Sequence, residues 1–572
     1  MKNWILSIFV LGTSILVSQA QVTSLSGQQY LDELQPTKAK TIFQAQIRNH
    51  PEDNSALLGL GKTYLALNLT DSAKTLLRKV LTLEPNNPYA MIGLGQIAWL
   101  NNDREGESSY FDRARRVDKT NPEIYRAIAE SCLNLHKQDT VNALVYLKQG
   151  LDLYQKNAGL HLTMGNLETI KKNYGAAANA YDRAIFFDPK SAVAYRKKGT
   201  ILYMARSYRQ ALDDYNKSLA IDSAQILIHK NLGDLYYSIA KYAEAENAYQ
   251  NYMERAEVTL DDRERFAITL FFNKKYKEAE IQLEQLLKVN DTESILLRIR
   301  GYIAFETSEY EKGVEYMNQF FKLHNPRKVI ALDYTYYAKL LQKTGHEMEA
   351  INSFKKATNL EPAKIENFEE LAKLATKNNM HLVAVSCYKK MMEFGADKVV
   401  NNFLIGKEFY LEGEKLRAKF DSLMQLHKKS LIPFADSSSI KKDYIAFYIN
   451  ADSAMTMVAK LNPEYAGSYI WKGRIQSILD PEALTTGAKE QYEKALLILE
   501  KADEAKNKKQ IVECYKYLGS YYYLAYDRLY KSDKKLSGEM RLKTIECFTK
   551  IKELDPADAQ AKEVLSKLNM GV

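Results

Sequence analysis

The sequence predicts an all-α chain of stacked antiparallel helix pairs, and three observations carry that prediction. Gly165, Gly199, Gly233, Ala267 and Gly301 follow one another at one constant step, an evenness that only a repeated unit sustains. Small and aromatic residues recur at fixed offsets behind them, as Ala177, Tyr181 and Ala184 do behind Gly165, and Ala211 and Tyr215 behind Gly199. Stops recur as well: Pro51 and Pro85 stand one such step apart, and Asp188-Pro189 closes another unit because proline cannot continue a helix. A Gly or Ala on the first helix of each pair lets the second approach closely, and the aromatic fills the space beside it.

Residues 1–20 read as an export signal. Lys2 precedes an apolar stretch from Trp4 to Val17, and Ser18-Gln19-Ala20 supplies small residues where a signal peptidase cuts. The stretch is too short for a membrane anchor, so the mature chain is expected to begin at Gln21 in the periplasm, with no stable membrane span. The nearest cysteine is Cys132, which argues against a lipid anchor at the cleavage site.

Residues 21–412 hold about eleven units, the first divergent. Gly59-Leu60-Gly61-Lys62-Thr63 imitates the end of a phosphate-binding loop, but Ala56 stands where its first glycine belongs. Ala90 to Gly95 repeats Ala56 to Gly61 one step later without the Lys-Thr, so these are helix-packing glycines. Pro85 to Pro189 spans three periods plus two residues, which fall near His136 to Thr140. Ala338, Ala372 and Gly406 continue the step, with Ala350, Phe354, Ala357 and Pro362 completing one unit. After Gly406 the expected second-helix Ala is matched by Ala451, nearly one whole repeat late. Residues 413–450 are therefore either a degenerate repeat or an insertion, with a loop at Leu431 to Phe434 and Ser437 to Ser439. Residues 451–572 return to repeats and end in a capping helix, Ala559 to Leu568.

This pattern resembles the tetratricopeptide repeat family over residues 22–565. The resemblance implies a right-handed superhelical solenoid whose first helices line a concave groove that accepts a protein or peptide. Lys460 to Gly473, Tyr515 to Tyr523 and Leu554-Asp555-Pro556 look like the C-terminal part of exported envelope tetratricopeptide proteins of the Bacteroidetes.

Composition narrows the function. Removing Lys2 from 80 basic residues leaves 79 against 71 acidic ones, a mild surplus of 8. Both signs alternate along helices, as from Lys274 to Glu280, which points to solvated surface and away from nucleic acid. Cys132, Cys387, Cys514 and Cys547 all fall in helical patterns and read as buried thiols, and pairing of Cys514 with Cys547 is left open. Even the nearest two histidines, His324 and His346, stand far apart along the chain, so neither metal nor cofactor is expected. No nucleophile elbow or zinc-protease motif occurs, and no separate domain remains for catalysis.

The expected function is thus a non-enzymatic periplasmic scaffold for an envelope protein or peptide, with glycan binding through groove aromatics as the alternative. Four residues after each small residue stand Tyr203, Tyr237, Phe271 and Phe305; three before stand Arg196, Lys230, Glu264 and Arg298. Seven residues apart, the two positions share one face of each first helix. They form a candidate aromatic, mostly basic stripe for a segment carrying acidic and apolar side chains, or a line of core packing. The carboxylate clamp of the family's chaperone adaptors is not reproduced, since Lys230 stands with Asp234 and Arg196 with Thr200.

Overall fold

The structure is a computed structural model that describes residues 25–133, 136–287, 294–323, 329–428, 437–502 and 504–569. The export signal, its cleavage point and the loop at Leu431 to Phe434 lie outside the described residues, and Ser437 to Ser439, expected in that loop, instead begin a helix. The chain is an all-α repeat solenoid that divides into two compact units at residue 291.

Unit 1 holds α1 (Gly27–Asp32), α2 (Pro36–Asn49), α3 (Asn54–Ala66), α4 (Thr70–Leu83), α5 (Pro88–Leu100), α6 (Arg104–Val117), α7 (Pro122–Cys132), α8 (Thr140–Leu153), α9 (Ala158–Ile170), α10 (Tyr174–Phe187), α11 (Ala192–Met204), α12 (Tyr208–Ile221), α13 (Leu227–Ser238), α14 (Tyr242–Arg255), α15 (Leu260–Phe272) and α16 (Tyr276–Leu287). Unit 2 holds α17 (Ser294–Glu306), α18 (Tyr310–Leu323), α19 (Ala331–Lys343), α20 (Glu347–Leu360), α21 (Ile365–Lys377), α22 (His381–Glu393), α23 (Lys398–Lys428), α24 (Ser437–Leu461), α25 (Ala466–Leu479), α26 (Gly487–Leu499), α27 (Glu504–Leu529), α28 (Lys534–Leu554) and α29 (Ala559–Asn569).

One packing rule recurs from pair to pair. A Cβ on Gly165 would run into the ring of Tyr181, one on Gly199 would lie 2.6 Å from Tyr215, and one on Gly233 2.8 Å from Tyr249. In each case the obstacle stands at the same offset along the chain. Gly61 meets Leu77, Gly95 meets Phe111 and Gly301 meets Met317 by the same rule. The small residue is therefore a seat for the second helix's largest core side chain, and Tyr181 and Tyr215 are buried in it. Gly61 and its neighbours lie inside α3, where Thr63 is buried and donates to the Gly59 carbonyl at 2.8 Å, as a helix and not a phosphate loop requires.

The helix starts follow the sequence: Asp53, Asn87, Asn121 and Asn157 cap α3, α5, α7 and α9 by accepting first-turn amides at 2.9 to 3.0 Å. The turns inside each pair carry a feature that the sequence does not announce. Leu34, Asn68, Asn102, Lys172, Arg206, Ala240, Lys274 and Ser308 all sit in the left-handed region, with φ between 55° and 65°. At Arg206 the turn closes as a Schellman motif, with Arg206 N–H donating to Tyr203 and Ser207 N–H to Leu202, each at 2.9 Å. A non-glycine residue there costs roughly 1 kcal/mol, which packing of the following helix offsets.

The break in spacing falls on one pair. Gly406 seats Met455, nearly one repeat further along the chain than the rule gives. The surplus lengthens α23 to 31 residues and α24 to 25. Beyond the seat, a Cβ on Gly413 would lie 3.1 Å from Tyr448, and Phe420 meets Tyr444 edge-on at 5.6 Å. The four cysteines are buried free thiols, so Cys514 and Cys547 share an apolar cluster without bonding. Among the described residues, no helix is long and apolar enough to cross a membrane, and no His, Cys, Asp and Glu group has a metal-holding arrangement.

Candidate partner-binding face

In unit 1 the first helices of successive pairs pack on one another, α3 on α5, α5 on α7, α7 on α9 and α11 on α13, so the array curves with these helices inside. The curve is tight enough for charges far apart in sequence to meet. Glu130 on α7 acts electrostatically on Asp32, on Lys62 of α3 and on Lys197 of α11. Burial holds the Lys62 amine below its usual range and raises the Asp32 carboxyl. Lys197 is pushed down to about 8 by burial, with Arg196 beside it adding to the effect and Glu130 opposing it.

That shift fixes the sign of a pH effect. The folded amine releases its proton near pH 8 and the unfolded one near 10.5, so between these values the unfolded state binds more protons and stability rises with pH. Lys197→Met is expected to stabilise unit 1 by roughly 1 to 3 kcal/mol at pH 7, the gain vanishing above pH 10.5. Paired melting curves across that range check it.

The structure redraws the basic half of the sequence-derived stripe. Arg196 is buried, its guanidinium depressed by burial, and its Nε donates to Gln225 Oε1 at 3.0 Å. Lys230 donates to Asp262 Oδ1 at 2.6 Å. Burial alone would raise the Asp262 carboxyl, but hydrogen bonds from Lys230 and Thr259 bring it below the usual range. In unit 2, Arg298 Nη2 donates to Asp333 Oδ2 at 2.9 Å, with Nε 2.7 Å from Oδ1. Lys230 and Arg298 thus staple one first helix to the next, and Arg196 ties α11 to the turn before α13, so each of these cations of the candidate stripe already has a partner within the chain. Asp262 and Asp333 went unrecognised in the sequence, although each stands at the third helical position where a capping box forms.

The aromatic half has a shared local role. Tyr203 meets Tyr208 at 5.9 Å, Tyr237 meets Tyr242 at 5.7 Å, Phe271 meets Tyr276 at 5.9 Å and Phe305 meets Tyr310 at 6.0 Å. Each ring folds across its own turn onto the first residue of the second helix, which is core packing of the kind worth about 1 kcal/mol. Phe271 is buried, and Tyr203 Oη sits 2.9 Å from Ser238 Oγ of the next first helix.

Tyr237 has a second role: it lines an open cavity of about 380 Å³ with Tyr249, Asp261, Glu264, Arg265, Ile268 and Thr269. Five of these recur along α15 at helical spacing, a one-sided face of which the sequence pattern marked only Glu264. Arg265 is held 3.0 Å from Asp234, which also accepts from Tyr249 Oη at 2.5 Å. Burial and then the Asp234 charge push the Tyr249 phenol well up, so it stays a donor. With Arg265 neutralised and Asp261 exposed, the cavity mouth favours a cationic or donor side chain.

A tetratricopeptide repeat model matches residues 25–88, 58–122 and 171–226. Similar solved structures include the C-terminal part of a repeat-containing protein from Cytophaga hutchinsonii, 21% identical over 53% of this chain and 99% of that one, with a TM-score of 0.36. A tetratricopeptide repeat protein from Parabacteroides merdae is 16% identical over 44% and 98%, TM-score 0.30. PilF of Pseudomonas aeruginosa is 17% identical over 44% and 97%, TM-score 0.29. No curated protein matches the chain. The matched segments carry the same small-residue seats and paired helices described above, and these segments of unit 1 are tetratricopeptide repeats.

Proposed function

We propose that the chain is a non-enzymatic scaffold, exported to the periplasm, that holds an extended or helical segment of an envelope protein against the inner face of unit 1. The cavity at Tyr237 carries this reading: it is large enough for one long side chain, opens between first helices and combines an aromatic wall with an exposed carboxylate. A peptide fits better than a glycan, because the ladder rings are spent on Tyr208, Tyr242, Tyr276 and Tyr310. Export is supported by the Lys2 to Ala20 pattern.

A photo-crosslinking residue at Ile268, in the producing cell, is expected to give a discrete protein adduct. The same residue at Lys217 on the outer helix α12 gives none, and Asp261→Lys lowers the Ile268 yield about tenfold. Equal yields at both positions, or indifference to Asp261, would remove the cavity from the function. Mass spectrometry of the purified chain is expected to find Gln21 at the N-terminus.

A further inference from the structure

The N-terminal segment of unit 1 reaches across the curve and caps a helix far along the array. Ile226 offers α13 no capping side chain. Its place is taken by Glu33, whose Oε2 accepts the amides of Ile226 at 2.8 Å and Leu227 at 2.7 Å. The exchange is reciprocal. Gln35, the residue before α2, caps nothing in its own helix, and Glu257 Oε1 instead accepts the Lys38 amide at 2.6 Å. Gln35 Oε1 accepts the Glu257 amide, and Lys38 Nζ donates to the Arg255 carbonyl. Glu33 and Gln35 are both buried in this contact. Leu25 and Tyr30 pack beside it on Ile226, Tyr252 and Ala256.

The other side of the same segment faces the interior. Gln28 lines a cavity of about 260 Å³ with Lys62, Tyr89, Gln96 and Glu130. Helix α1 has only 6 residues, too few to be stable without docking. It is bound on two faces through a short segment, so its release costs less than that of the longer helices behind it.

We infer that residues 25–38 are a latch, which occupies in cis a docking surface made by the start of α13, the end of α14 and the turn into α15, and that it must open for a partner to enter the inner face. This rests on the reading of that face as the binding face. The latch holds the start of α13 and the turn into α15, and the Tyr237 cavity is walled by the far end of α13, by Tyr249 of α14 and by α15, so the latch fixes the helices between which a partner must enter. The buried Glu33 on the amides that start α13 and the half-buried Glu257 on the Lys38 amide of α2 give the contact specificity, and its short apolar part keeps it displaceable.

The test uses the full mature chain, intact and with Tyr30→Ala, Glu33→Ala and Gln35→Ala together, and a labelled synthetic peptide of residues 24–38. The peptide is expected to bind the triple variant at least about tenfold more tightly than the intact chain, whose surface is already filled. Amide exchange at Ile226, Leu227 and Glu257 is expected to accelerate in the variant and to slow again when peptide is added. Glu33→Gln, which keeps an acceptor and loses the charge, is expected to fall between, so the signal does not depend on a damaged fold. Unchanged exchange, or peptide binding that is equal in both chains or missing from both, overturns the latch. A domain-swapped dimer of the intact chain would move the occupant to a second copy and overturn the cis assignment. If the peptide results hold while crosslinking at Ile268 fails in both intact and latch-broken chains, the latch stands and the binding face falls.

Discussion

Replacing Arg298 by leucine is expected to destabilise unit 2 by about 3 to 5 kcal/mol, the cost of leaving a buried charge without its partner. Asp333 is fully buried, and its carboxylate also accepts Tyr302 Oη at 2.6 Å and the Ile330 amide at 2.8 Å. Those neutral donors satisfy its geometry but not its charge. Arg298 further covers the Phe320 ring at 4.9 Å, a contact that leucine replaces only in part. Denaturant unfolding of the two chains measures the difference. The double variant Arg298→Leu with Asp333→Asn removes the charge along with its counterion and is expected to regain at least half of the loss. A single-variant cost under about 1 kcal/mol would return Arg298 to the solvent and reopen its candidacy for partner binding.

Gly199→Leu is the second large effect, expected at about 3 kcal/mol or more. The first added carbon already lies 2.6 Å from two atoms of the Tyr215 ring and 3.2 Å from the Ala211 carbonyl. Tyr215 cannot step aside, because it is fully buried and its hydroxyl reaches Thr200 at 3.3 Å. The pair α11 and α12 must therefore separate, which also strips α13 of part of its seat. Gly175→Leu is the control: nothing stands within 4 Å of a Cβ there, and the change is expected to cost no more than the usual surface variation of about 0.5 kcal/mol. Thermal melts of both variants against the parent decide whether the register is right.

The repeat was legible in the sequence because its cause is local and short-ranged. A small residue and the aromatic at a fixed offset behind it must meet whenever two helices of this length fold back, so Gly165 with Tyr181 could be read without coordinates. The αL turns were not legible, since Arg206, Ala240 and Ser308 are no glycines and packing, not propensity, holds them there. For the candidate site, helical spacing correctly put Lys230 on one face with Tyr237. It could not show that Asp262, on the next first helix, would neutralise the amine. That depends on how two neighbouring first helices are offset. The Glu33 cap on α13 was further from reach, because a separation of 193 in sequence between donor and acceptor leaves no periodic trace.

The lengthened hairpin of α23 and α24 shows where such a chain is free to grow. Along the stack every seat is shared with a neighbour, so an added residue there would shift all that follows. Across the stack, length added to both arms of one pair leaves the seat of Gly406 and Met455 in place. The surplus on the longer arm over an ordinary first helix is worth roughly 25 Å at the rise of an α-helix. An architecture that is strict in one direction and permissive in the other can acquire reach without renegotiating its core.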